Sequence, residues 1–305
     1  MIHASRICYA VRDCLIENKI MDNSDLSDPV LSPDLLERVL AKLGLSDHPS
    51  LDRSGLNGLY AAFCGKVAAI DNILKRIWLT GDQATPLTGG DPTDYFENWL
   101  THGTGGTCYP TNGAMYALVN SLGFDTRRIA GCIVMDEYPG TNHGSVVVTL
   151  DGVDYLVDGC FGAFEVLPLV PGRATFTRQG LNQIKAVPVE NGFEIIWYTS
   201  INREQPLTFR TEPEHDPVDH NFFLTYYDES KKISVFNDTL FICRRYPDSI
   251  VTLGREKAVV SADNTLTKTE IDDTGRKRVL VEEFDISEEI AAALPPDVSG
   301  GFAML

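Results

Sequence analysis

The sequence predicts an α+β protein that opens with helices, continues as an antiparallel β-barrel or meander, and closes on a mixed segment of strands and helix. Three observations predict it. Apolar stripes at helical spacing fill the chain up to Phe124, short β-rich runs broken by Gly, Pro and Asp-Gly follow, and strands alternate with a helix towards the end. A chain of 305 residues is long enough to bury a sizeable core and to divide into a few compact units.

In chain order, Ile7 to Ile20 has roughly helical spacing and leads into a polar, turn-rich stretch, which together read as an N-terminal arm. A helix starts at Pro33, carries Leu36, Val39, Leu40 and Leu43 on one stripe, and stops at Gly44. A second helical segment runs from Leu56 to Ile77. Leu79 to Gly106 reads as loop, with short helical structure around Tyr95 to Leu100, and a further helix carries Thr111, Met115, Leu118 and Leu122 before Gly123. Strands are expected at Arg128–Met135, Ser145–Leu150, Val153–Val157, Ile184–Val189 and Phe193–Tyr198. The last segment offers strands at Thr239–Arg244, Lys257–Ser261 and Lys277–Glu282, and a helix at Ser287–Leu294 that Pro295-Pro296 terminates. No internal repeat is visible.

Composition narrows the function classes. A formal charge of −17 repels phosphate backbones and anionic lipid, and no local basic patch offsets it, so neither nucleic acid nor a membrane is an expected partner. No apolar run approaches the roughly 18 to 20 residues that span a bilayer. Arg12, Asp13, Glu17 and Lys19 interrupt the N-terminal stretch before a secretory core could form. Seven widely spaced cysteines in a chain of this size fit reduced thiols and a cytoplasmic protein. None is at Cys-x-x-Cys spacing and the six histidines do not cluster with them, so no metal is expected.

The chemistry concentrates in two places. Gly105-Gly106-Thr107-Cys108 leads directly into a helix, whose unpaired N–H groups and positive dipole end favour a thiolate; Gly106 lets backbone approach closely, and the Cys108 amide is a candidate oxyanion donor. The second place is a hairpin about Asp151-Gly152. With a two-residue turn Leu150 faces Val153, Val147 faces Leu156 and Ser145 faces Asp158, so His143 becomes a diagonal neighbour of Asp158. The other face (Val146, Val148, Leu150, Val153, Tyr155, Val157) is apolar and belongs to a core. In this geometry Asp158 fixes the tautomer of His143, and His143 holds Cys108 as a thiolate and later returns the proton. His102 is a rival base by proximity but has no expected carboxylate partner.

These residues resemble the arylamine N-acetyltransferase family, cysteine enzymes that move an acetyl group from acetyl-coenzyme A to an aromatic amine or hydrazine. The resemblance rests on Gly105-Gly106-x-Cys108 with Asn112 following, on Leu122-Gly123-Phe124, on His143 35 residues after the cysteine, and on Tyr155-Leu156-Val157-Asp158-x-x-Phe161-Gly162. Leu36–Leu45 is similar to the family's first helix, and Ser230–Phe236 to a segment of its third domain. The resemblance implies a papain-like Cys-His-Asp triad and three domains: a helical bundle (32–124) with the nucleophile, a β-barrel (125–217) with His143 and Asp158, and an α/β lid (218–305), after an N-terminal extension (1–31). It further implies that Gly106, Gly140 and Phe161 contact substrate or coenzyme, Gly140 at the coenzyme entrance and Phe161 in the acceptor pocket. Thr104 stands where the family has Arg, Asp71 where it has the partnering Glu, and Pro110 where it has Glu or Gln.

The expected activity is a ping-pong transfer of an acetyl or other short acyl group from acyl-coenzyme A, through a Cys108 thioester, to an arylamine or related amine. An amide or macrolactam synthase, drawing on coenzyme A or an acyl carrier protein, is the alternative among transferases. Hydrolysis differs only in admitting water, and a catalytically silent scaffold is the alternative of another class.

Overall fold

Helix α1 (Pro33–Leu43) begins where the Ser32 hydroxyl accepts from the N–H of Leu35, and it ends at Gly44, whose φ of 84° suits a residue without Cβ. The computed structural model describes residues 28–134, 141–177, 180–198, 204–211 and 218–300. The stretch of helical spacing at Ile7–Ile20, read as part of an N-terminal arm, lies outside these residues.

Helix α2 (Arg53–Lys66) is capped by Asp52. The segment read as one helix from Leu56 to Ile77 is two: α2 stops, strand β1 (Ile70–Asp71) intervenes, and α3 (Ile73–Thr80) follows. The cause is tertiary. The Ala69 N–H donates to the Cys243 carbonyl (2.8 Å), the Phe241 N–H to Asn72 Oδ1 (2.8 Å), and the Asn72 amide to the carbonyls of Phe236 and Thr239. Backbone groups committed to a distant strand are not free to continue a helix. Helix α4 (Pro92–His102) is longer than the short helix expected, because Asp91 caps it, Pro92 starts it and Gly103 (φ 73°) stops it. Helix α5 (Cys108–Ser121) runs through the centre, buried at every position from Tyr109 to Val119.

Strands β2 (Thr126–Ile133), β3 (His143–Leu150), β4 (Val153–Leu156), β5 (Leu167–Leu169), β6 (Thr175–Phe176), β7 (Ile184–Val189), β8 (Gly192–Trp197) and β9 (Leu207–Thr211) make one antiparallel sheet in the order β5-β4-β3-β2-β9-β8-β7-β6. It rolls into a nearly closed barrel, with the Thr175 hydroxyl donating to the Pro168 carbonyl between its end strands. The β3–β4 hairpin has the register expected: Leu150 pairs with Val153 and Val147 with Leu156, around Asp151 (φ 52°) and Gly152 (φ 75°). Positive φ at both turn residues is the geometry that Asp-Gly favours.

Helix α6 (His220–Glu229) lies against α5. A five-stranded antiparallel sheet then joins β1 to β10 (Ile242–Arg245), β11 (Ser249–Leu253), β12 (Glu256–Ser261) and β13 (Leu266–Glu270). Helices α7 (Asp273–Phe284) and α8 (Glu288–Ala293) complete the α+β architecture. The strand expected at Lys277–Glu282 is part of α7: Asp272 caps the helix, and Arg276, Val279, Leu280 and Phe284 bury at helical spacing. Val279 and Val281 had imitated a strand's alternation.

One apolar core joins α1, α2, α4 and α5 to the barrel through Val39, Phe63, Phe96, Val146 and Ile195. A second, with Ile73, Ile242, Leu253, Leu280 and Phe284, lies under the smaller sheet. No helix among the described residues is long and apolar enough to cross a membrane.

Candidate active site

Cys108 is the first residue of α5, half-buried, with Thr107 as an N-cap whose side chain makes no capping bond. The positive end of the helix therefore faces the sulfur. Its Sγ lies 3.7 Å from the Asn142 carbonyl. The side chain of Asn142 bonds both backbone groups of Ile133 (2.7 and 3.0 Å), which fixes the chain entering β3 next to the sulfur.

His143 and Asp158 meet across the hairpin. His143 Nε2 donates to Asp158 Oδ2 at 2.7 Å, with the residues only 2% and 1% exposed. The other ring nitrogen, Nδ1, is left open, and the Cys108 side chain is near enough to help raise His143. Burial disfavours an imidazolium, but the Asp158 charge and hydrogen bond, joined by Cys108, outweigh it and push His143 up to about 10. Burial likewise opposes the Asp158 carboxylate, and the His143 charge outweighs it, holding Asp158 below its ordinary value.

Asn112, on the second turn of α5, organises the carboxylate. Its amide donates to the Gly144 carbonyl (2.7 Å) and to Asp158 Oδ1 (3.2 Å), and its oxygen accepts from the Gly159 N–H (2.9 Å). The N–H of Cys160 also donates to Asp158 Oδ1 (2.8 Å), and Tyr60 donates to the Asp158 carbonyl (2.6 Å). The position of Asn112 after the cysteine was a signal in the sequence; its part as a clamp was not. Phe161 stacks on the His143 ring at 5.3 Å and 16°. Gly106 is packed inside: a Cβ there would meet Pro110 and Tyr95 at 3.0 Å. Gly140 lies outside the described residues. His102 is elsewhere, its Nδ1 paired at 2.9 Å with the Ser287 hydroxyl that caps α8.

Asp71 and Thr104 both lie at the loop that precedes Cys108. Asp71 Oδ1 accepts from the Ile73 N–H (2.7 Å) and Oδ2 from the Gly105 N–H (2.8 Å), so backbone donors occupy a buried carboxylate that has no ion pair among the described residues. Burial pushes Asp71 up to about 6 despite those donors. Thr104 is fully buried and its hydroxyl has no partner among the described residues. Cys108 packs against an apolar, largely aromatic cluster missed in the sequence, built of Trp78 from α3, Tyr109 from α5, and Phe223 and Tyr227 from α6, with Phe222 and Tyr226 of α6 also packed against it. The i, i+3, i+4 spacing of the four on α6, behind the Asp219 cap, was the signal available. Among the described residues, no group of three or more His, Cys, Asp and Glu could hold a metal ion.

A family model described as N-acetyltransferase matches residues 90–293, more than half of the chain and all three elements that meet in this site. The chain belongs to that family. The arylamine N-acetyltransferase of Mycobacterium marinum, solved in complex with CoA, superposes with a TM-score of 0.70 over 85% of this chain and 97% of that one, at 19% identity, which shows a shared fold. Proansamycin X synthase of Amycolatopsis mediterranei is 35% identical over 128 residues, 40% of this chain and 49% of that protein. Mouse arylamine N-acetyltransferase 2 is 28% identical over 169 residues, 52% of this chain and 56% of its own length. The chain thus matches about half the length of these curated relatives, as a divergent member of the arylamine N-acetyltransferase family.

Proposed function

We propose that the chain is an N-acyltransferase in which Cys108 accepts an acyl group from a coenzyme A thioester such as acetyl-coenzyme A and passes it to an arylamine or related amine. The observation that carries this reading is the buried His143–Asp158 pair close to a half-buried thiol at a helix N-terminus. Nδ1 takes the thiol proton, and the imidazolium beside Asp158 keeps the sulfur as a nucleophile. The thiolate attacks the donor carbonyl; as the new C–S bond forms and the donor C–S bond breaks, His143 gives its proton to the departing thiol. The amine then attacks the Cys108 thioester, its proton goes to His143 and the sulfur leaves as thiolate. Backbone N–H groups at the start of α5, that of Cys108 among them, are the donors available for the oxyanion. The aromatic cluster against which Cys108 packs suits an aromatic acceptor, and Phe161, stacked on His143, is the further ring we assign to that pocket.

A second reading is favoured by the likeness to proansamycin X synthase: amide or macrolactam formation from a coenzyme A or carrier-bound thioester. Intact-protein mass spectrometry tests both. Wild type and Cys108→Ala are incubated with acetyl-, propionyl- and malonyl-coenzyme A and with an acyl carrier protein thioester, then with an arylamine. A mass gained by wild type alone from coenzyme A and discharged by the amine supports the first reading; an adduct from the carrier alone supports the second; none from any donor overturns both.

A further inference from the structure

One buried charge near the sulfur has no part in the scheme above. Lys75, on α3, is 2% exposed, and its only hydrogen bond among the described residues is Nζ to the Ser230 carbonyl (3.0 Å), at the C-terminal end of α6. No carboxylate pairs with it among the described residues. Lysine is rarely buried without a counter-ion, because the ammonium gives up its hydration for little return. The position explains where a counter-charge can arise. Lys75 lies one turn before Trp78, on the same face of α3, and Trp78 packs in the cluster that holds Cys108. Among the described residues, Cys108 is the ionisable group whose charge acts on Lys75.

We propose that Lys75 is a charge-positioning residue for Cys108, its buried ammonium holding the sulfur as thiolate alongside the His143 imidazolium. The inference rests on the reading of Cys108 as nucleophile and deepens it. Burial pulls Lys75 down to about 7, and the Cys108 charge opposes that pull. The ammonium is therefore favoured while the sulfur is a thiolate and disfavoured once the sulfur is acylated and neutral. Other charges nearby are already engaged: Arg76 with Asp297, Lys231 with Asp228 while lying over the Trp78 ring, and Asp71 with the Ile73 and Gly105 N–H groups. Tyr109, Tyr227 and Cys160 also sense the Cys108 charge, but burial holds all three in their neutral forms. Among the described residues, that leaves His143 and Lys75 as the cations that answer to the sulfur.

The test is the pH dependence of Cys108 alkylation by iodoacetamide, located by peptide mass spectrometry, in wild type, Lys75→Met and Lys75→Arg. Methionine matches the lysine stem without its charge, so circular dichroism should be unchanged and the unfolding temperature should hold or rise. The expected result is an alkylation midpoint raised by about one pH unit in Lys75→Met, or about tenfold slower alkylation on the acid side, with Lys75→Arg close to wild type. Superimposable profiles for folded wild type and Lys75→Met overturn the proposal. If Lys75→Met does not fold, Lys75→Gln replaces it; failure of every uncharged variant to fold while Lys75→Arg folds with unaltered alkylation makes Lys75 structural and also overturns it. Acetyl-coenzyme A is added to wild type in parallel. Separated alkylation profiles without an acyl adduct sink the transferase reading alone, and an adduct with superimposed profiles sinks only the role of Lys75.

Discussion

The carboxylate of Asp158 does three things at once: it orients His143, fixes which ring nitrogen carries the proton, and keeps the imidazole charged far above its ordinary range. Asp158→Asn removes the charge and preserves the shape. Cys108 acylation, followed by single-turnover mass spectrometry, is expected to fall by about 10³ to 10⁴. Stability should respond with a defined pH profile. Asp158 is depressed in the fold, so its contribution is present above 3.8, its value when unfolded, and is lost as pH falls through the depressed value. His143 is raised, so its contribution is full below 6.5 and lost as pH rises through about 10. The gap between wild type and Asp158→Asn in urea unfolding is therefore widest from pH 3.8 to 6.5, at about 3 kcal/mol or more, and narrows on both sides.

Strand β3 approaches α5 and α6 so closely that one position admits only glycine. A Cβ at Gly144 would stand 2.7 Å from ring atoms of both Phe223 and Tyr109. Gly144→Ala should push these rings apart and cost about 1–3 kcal/mol, measured by urea unfolding, with acylation slowed because the next residue back is His143. The β3–β4 hairpin was legible because its turn sequence sets the register, and the register sets which side chains share a face. Cys108 was legible through the glycines before it and the helix pattern after it. The stretch between α2 and α3 was not, because the two residues of β1 carry no local signal and pair with β10 far along the chain. Lys75, which lies in α3, was not singled out for the same reason. Helix α7 was mistaken for a strand because Val279 and Val281 alternate, whereas Arg276, Leu280 and Phe284 supply the true period.

At the scale of the whole molecule, a formal charge of −17 sets a field that any anionic thioester donor must enter. Raising ionic strength from about 0.01 to 0.15 M shortens the reach of that field from roughly 30 to 8 Å. The second-order rate of Cys108 acylation by acetyl-coenzyme A is accordingly expected to rise with salt over this range, and stopped-flow measurement of it at several salt concentrations checks the sign. A rate that falls would mean that cations local to the entrance outweigh the global charge.

The loop before Cys108 is tied through Asp71 to Gly105 and Gly106, and the same stretch is tied through Asn72 to Phe241, 169 residues further along. During synthesis on the ribosome, the anchor of this loop does not exist until the smaller sheet has emerged. A nascent chain that stops short of that sheet thus carries the thiol, the imidazole and the carboxylate without the brace that sets the loop, and the site matures only after the sheet has been made.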